Sequence, residues 1–181
     1  MELSNLPLKI SYRDVKHSRL EFRGNKLLVI LPFGIDPETF LIKHKDWINK
    51  KIKFIQDCIQ ISADKEIINR TENEFRRLIH SLAETSVKEL SAHFNRIYFR
   101  KMETKWASCS SRNNLTFNKL MKYLPKHLIG YIISHEVAHI IEKRHSHRFW
   151  KLVSKKFPNR HELERELLSY WFLIQSKASH A

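Results

Sequence analysis

Glycine is nearly absent from this 181-residue chain, with three in all. So sparse a supply argues against long flexible linkers. Cysteine is also scarce: Cys58 and Cys109 are the two present, too few for a disulfide framework. No apolar run approaches the length of a membrane span. The start, Met1-Glu2-Leu3-Ser4-Asn5, lacks the charged-then-apolar pattern of a secretory leader. Acidic residues are outnumbered, 19 against 33 Lys and Arg, for a formal net charge of +14. These shortages together predict a cytoplasmic protein with no membrane segment. Its charge favours polyanions or acidic partners, nucleic acid among them. The chain is 42% hydrophobic, which supports a globular core and argues against disorder.

Residues 8–31 read as three short strands. Leu8 to Tyr12 alternates apolar and polar, while Leu20-Glu21-Phe22 and Lys26 to Ile30 flank Gly24-Asn25, a hairpin signal. Asp36-Pro37 then opens a helix, with Asp as N-cap and Pro at the first position. Leu41, Ile48, Ile52, Ile55 and Ile59 recur along it at helical spacing, with Lys43, Lys50 and Lys53 opposite. Thr71-Glu72-Asn73-Glu74 is a capping box, and the apolar positions behind it run from Phe75 to Phe94. His80 and His93 fall within that span and have no partner at ligand spacing. Ile97 to Met102 reads as a strand, Lys105 to Asn114 as a polar loop, and Leu115 to Asn118 as a further strand. Pro125 starts the next helix. Ser146 caps a short one, and Asn159 caps the last.

The chemistry concentrates in Ile132-Ile133-Ser134-His135-Glu136-Val137-Ala138-His139-Ile140-Ile141. His135 and His139 lie one helical turn apart on the same face, so both imidazoles can address one metal ion. Glu136 flanks them, where zinc peptidases keep the base that acts on water. The surrounding helix is apolar nearly all round, and such a helix does not bury two imidazoles and a carboxylate without partners. His145 is a candidate third ligand, at the step found in His-Glu-x-x-His-x-x-Gly-x-x-His enzymes, although Glu142 stands where those enzymes have glycine. His147, Glu162, Glu164 and Glu166 are rivals for that role. Tyr123, Tyr131, Arg148 and Lys105 are candidates for stabilising an oxyanion, and Cys109 reads as a structural thiol.

Several pieces occur together in a fixed order: Lys105-Trp106-Ala107-Ser108-Cys109-Ser110, Leu115 to Leu124 before Pro125, His135 to His139, and His145-Ser146-His147-Arg148-Phe149-Trp150. In this the chain resembles the YgjP-like metallopeptidases, distant relatives of the SprT-like and minimal gluzincin proteins. That family usually has Arg-Trp-Gly where this chain has Lys105-Trp106-Ala107. The resemblance implies an α+β, zincin-like fold with a small, mostly antiparallel sheet packed on the metal-site helix. It implies one domain over 1–181, with hairpins and two helices in 1–95 and the zincin-like core in 96–181. It further implies Zn2+ held by His135, His139 and His145, with Glu136 as general base for a metal-activated water. The substrate would be a protein or peptide, lying extended along Leu115–Asn118 as a sheet edge. Two other readings compete: a basic nucleic-acid-binding module whose zinc is structural or vestigial, and a protein that uses the metal purely to hold its helices together.

Overall fold

A computed structural model describes residues 7–23 and 26–178. The expected Gly24-Asn25 turn lies outside the described residues, as does Met1 to Asn5. The first sheet contains β1 (Leu8–Tyr12), β2 (Arg19–Arg23) and β3 (Lys26–Leu31), with β3 in the middle. The β2–β3 pair is antiparallel, as the turn signal predicts, whereas β1 pairs with β3 in parallel. Central placement explains the unbroken apolar run Leu27–Leu31, which is buried along its whole length.

The amphipathic stretch after Asp36 forms two helices, not one: α1 (Pro37–Lys43) and α2 (Lys45–Ser62). Asp36 caps α1 as expected, its carboxylate accepting from the Thr39 amide at 2.7 Å. The break falls at His44 (φ −108, ψ 11), whose amide donates to Leu41 in a 3-10 closure at 3.1 Å. The bend lets Phe40 and Leu41 of α1 and Ile48 and Ile52 of α2 pack together against Leu27, Val29 and Leu31, forming a small core. From there α2 passes to the rest of the protein, packing along the last helix.

Helix α3 (Glu72–Glu89) carries the capping box: Thr71 Oγ1 accepts from the Glu74 amide at 3.2 Å, and the Glu74 carboxylate accepts from the Thr71 amide at 2.8 Å. The helix stops earlier than its apolar spacing predicts. Ser91 adopts φ 49, a left-handed conformation that ends the turn and leaves His93 outside the helix. Phe75, Ile79 and Ala83 of α3 are buried in the larger core.

The second sheet contains β4 (Ile97–Arg100), β5 (Ala107–Cys109) and β6 (Leu115–Asn118). Here two expectations change. The segment Leu115–Asn118 is the central strand, paired in parallel with β4 and antiparallel with β5. The sheet is therefore mixed, not mostly antiparallel. The stretch predicted as loop supplies β5, an edge strand packed against the helix that carries the two histidines. Asn118, fully buried, fastens the preceding loop: its Nδ2 donates to Met102 at 2.7 Å and to Lys105 at 2.9 Å, and its Oδ1 accepts from the Leu120 amide at 3.1 Å.

A 3-10 turn (Lys119–Tyr123) leads into α4 (Lys126–Ile141), followed by α5 (His147–Ser154) and α6 (Arg160–Ala178). Helix α4 runs through the larger core and buries Leu128, Ile129, Ile133, Val137 and Ala138. Its apolar surface is covered by α3, β5, α5 and α6. The fold class is α+β. Among the described residues, no helix is long and apolar enough to cross a membrane.

Candidate metal centre

Helix geometry brings His135 and His139 to one face of α4, with ring centroids 5.0 Å apart. The chain leaves α4 at Glu142, whose amide donates to the Ala138 carbonyl at 2.9 Å while its own backbone turns extended (φ −133, ψ 106). That conformation needs no glycine, so Glu142 is accommodated where related motifs place one. The Glu142 carboxylate accepts from the Arg144 amide at 3.2 Å, and the Ser146 hydroxyl then caps α5 by accepting from the Phe149 amide at 3.3 Å. His145 sits in the tight link between these two anchors. Its Nε2 lies 3.0 Å from His139 Nε2 and 3.1 Å from His135 Nε2.

The donor set fits a zinc ion. Bonds of about 2.1 Å to a tetrahedral ion separate two imidazole nitrogens by about 3.4 Å, close to the spacings found. His139 Nδ1 is 3.1 Å from the Glu142 carbonyl oxygen, which can only accept. The ring hydrogen is therefore on Nδ1, and Nε2 turns a lone pair inward. Burial, and after it the neighbouring His139 and His145 rings, pushes His135 down to about 3, so this ring too is neutral. Burial likewise lowers His139. Phe149, fully buried, closes the inner side, with its ring 4.9, 4.4 and 4.8 Å from His135, His139 and His145. Trp150 stacks on His145 at 5.4 Å and carries the Arg160 guanidinium on its face at 3.8 Å.

Glu136 is 8% exposed. Burial pushes its carboxyl up to about 7, against the opposing pull of the Lys105 ammonium and a hydrogen bond from the Cys109 backbone. A divalent cation alongside would draw it down again. The edge strand β5 therefore runs past this carboxylate, and Ala107 within it is extended and tolerates a side chain.

The rival ligands are placed elsewhere. His147 is exposed on α5 and is not among the imidazoles that converge. Glu162 accepts from Asn159 at 3.2 Å, Glu164 from the Tyr131 hydroxyl at 3.1 Å, and Glu166 pairs with Lys65 and His127, each at 3.0 Å. Of the oxyanion candidates, Lys105 alone is tied to Glu136 by its charge. Tyr131 is committed to Glu164, and burial together with that carboxylate raises its pKa. Tyr123 lies under the Lys122 ammonium, and Arg148 is exposed. Cys109 is half-buried, its thiol pushed up by burial, with Lys143 Nζ at 3.9 Å. Sequence reasoning missed Phe149 as the wall common to all three imidazoles. Its signal was present in the cap Ser146, which fixes Phe149 one turn beyond His145 and points it inward.

Solved structures resemble part of this chain. The metallopeptidase zymogen of Pyrococcus abyssi abylysin is 25% identical with a TM-score of 0.47, over 50% of this chain and 92% of that one. The metallopeptidase zymogen of Methanocaldococcus jannaschii jannalysin is 26% identical with a TM-score of 0.44, over 49% and 90%. No curated protein matches. The model of the YgjP-like metallopeptidase domain matches residues 60–170, more than half the chain and the whole of the histidine cluster. By that match the chain belongs to the YgjP-like metallopeptidase family.

Proposed function

We propose that the chain is a zinc-dependent peptidase in which His135, His139 and His145 hold the ion and Glu136 is the general base, residues 1–181 working as one domain. The observation that carries this reading is the convergence of three imidazole Nε2 atoms, with the buried Glu136 next to His135 on the same helix. Bound zinc supplies Lewis acidity toward a carbonyl oxygen and lowers the pKa of water to about 7. Glu136 takes a proton from the attacking water and returns it to the leaving amine. Lys105 biases Glu136 toward the charged form that can accept that proton. The open edge of β5 offers backbone groups to a peptide lying beside it, the role that the family resemblance had implied for Leu115–Asn118. Family membership supports a protein or peptide substrate.

Metal analysis tests this directly. The protein should carry about one zinc per chain, a chelator should abolish cleavage of an unfolded protein, and added zinc should restore it. His145→Ala should lower zinc affinity by at least about ten-fold. Cleavage that survives full metal removal would end the reading. Unfolding on metal removal, with no cleavage by the zinc-loaded protein, would favour the purely structural role.

A second reading, contact with nucleic acid, rests on the stretch from Lys143 to Arg160, which contains no Asp or Glu. Lys156 there is paired with Glu89 at 2.7 Å, but Arg144, Arg148, Lys151 and Lys155 of the same stretch are exposed. If these groups bind phosphates, log affinity for duplex DNA falls with log salt at a slope near −0.9 per contact. A flat salt dependence removes this role.

A further inference from the structure

A cavity of about 330 Å³ opens between the loop before β5, the middle of α6 and Phe22 of β2. Ligand cavities commonly span about 300–1,000 Å³, so this one suits a single long side chain. Its walls include Trp106 and Trp171, in edge-to-face contact at 4.8 Å, and Leu167. Its polar lining residues are Glu103, Thr104, Lys105 and Glu164, two acidic groups to one basic. The Lys105 charge acts on Glu136. Two acidic groups at one aromatic cavity run against the +14 balance of the whole chain. An aromatic wall with carboxylates at its rim suits a cation on an apolar stem.

Position ties the cavity to the metal centre at two points. Tyr131, one helical turn before His135 on α4, donates to Glu164 at 3.1 Å and meets the His135 ring edge-on at 6.2 Å. Trp106 immediately precedes β5, and at the far end of that strand the Cys109 backbone hydrogen-bonds to Glu136. The cavity and the carboxylate are thus separated by a three-residue strand, about 10 Å at ~3.3 Å per residue. A peptide paired with the open edge of β5 would bring a side chain about three residues from the scissile bond over the cavity.

We propose that this cavity is a specificity subsite for an arginine or lysine side chain of the substrate, with Trp106 and Trp171 packing its stem and Glu103 and Glu164 meeting its charge. The proposal rests on the peptidase reading above for its place in catalysis, but binding can be measured without it. Zinc-loaded Glu136→Gln protein is titrated with Ala-Ala-Ala-Arg-Ala-Ala, its norleucine counterpart and its glutamate counterpart, following tryptophan fluorescence. The arginine peptide should bind about ten-fold tighter than the norleucine peptide, with the glutamate peptide weakest. Adding Glu103→Gln and Glu164→Gln, both exposed positions, should remove that preference while leaving the melting temperature in place. Equal binding of the arginine and norleucine peptides, or a preference that survives both changes, overturns the subsite. Cleavage by the unsubstituted protein separates the two proposals. Hydrolysis of all three peptides without an arginine preference in KM defeats the subsite alone. Selective arginine binding with no hydrolysis defeats the peptidase reading and leaves a basic-peptide pocket.

Discussion

Glu136→Gln is expected to keep the bound zinc and to lower kcat by about 10²–10⁴-fold. Glutamine matches glutamate in shape, so the packing around a side chain only 8% exposed is preserved. The three imidazoles converge through α4 and the Glu142–Ser146 link, neither of which depends on the carboxylate charge. The amide cannot accept a proton from water, and that step alone is lost. Folding gives an independent check. The carboxyl is pushed up to about 7 by burial, so its charged form is poorly solvated in the folded protein without metal. The metal-free glutamine variant should therefore melt at or above the temperature of the metal-free parent. Single-turnover cleavage, zinc content and a thermal melt, taken together, test all three claims. Cleavage within a few-fold of the parent would remove Glu136 from the mechanism.

Phe149→Ala is expected to cost about 3–5 kcal/mol of stability, the usual range for emptying a buried aromatic site. For a chain of this size that corresponds to roughly 2–4 °C of melting temperature for each kcal/mol. The more informative effect concerns the metal. The Phe149 ring lies 4.4 Å from His139, nearly parallel to it, and meets His135 and His145 edge-on. Without that wall the three rings regain torsional freedom, and zinc affinity should fall by about 10–100-fold, as for other residues that orient ligands. Phe149→Leu refills most of the volume and should recover most of the stability while leaving part of the affinity loss. Zinc competition titrations on the two variants check this. Affinity unchanged in both would mean that the helix and link alone orient the imidazoles.

Sequence order carried the caps, the helix face and the hairpin pairing, which depend on neighbours a few residues apart. The capping groups at Asp36 and Thr71 act over three residues, and both caps form as read. The placement of His135 and His139 on one face follows from helical pitch alone. The Gly24-Asn25 signal implied an antiparallel β2–β3 pair, and that pair forms. Local spacing also has a characteristic failure. Apolar periodicity continued through His44 and past Ser91, yet the backbone turns at both, because one irregular residue ends a helix without disturbing the pattern around it.

Partners far apart in the chain were decided by tertiary packing. The pattern of Leu115–Asn118 fits an edge or a central strand equally well. Only its pairing with Ile97–Arg100 and Ala107–Cys109 on opposite sides made it central and moved the open edge to β5. His145 stood among rivals in the sequence. It is the one that meets His135 and His139 because α5 packs back onto α4 through Phe149, while Glu162, Glu164 and Glu166 of α6 are held by Asn159, Tyr131 and the pair Lys65 and His127. Helix formation needs only local bonds, but the choice of third imidazole needs two helices docked at one angle. That angle is set by the shape of the buried side chains between them.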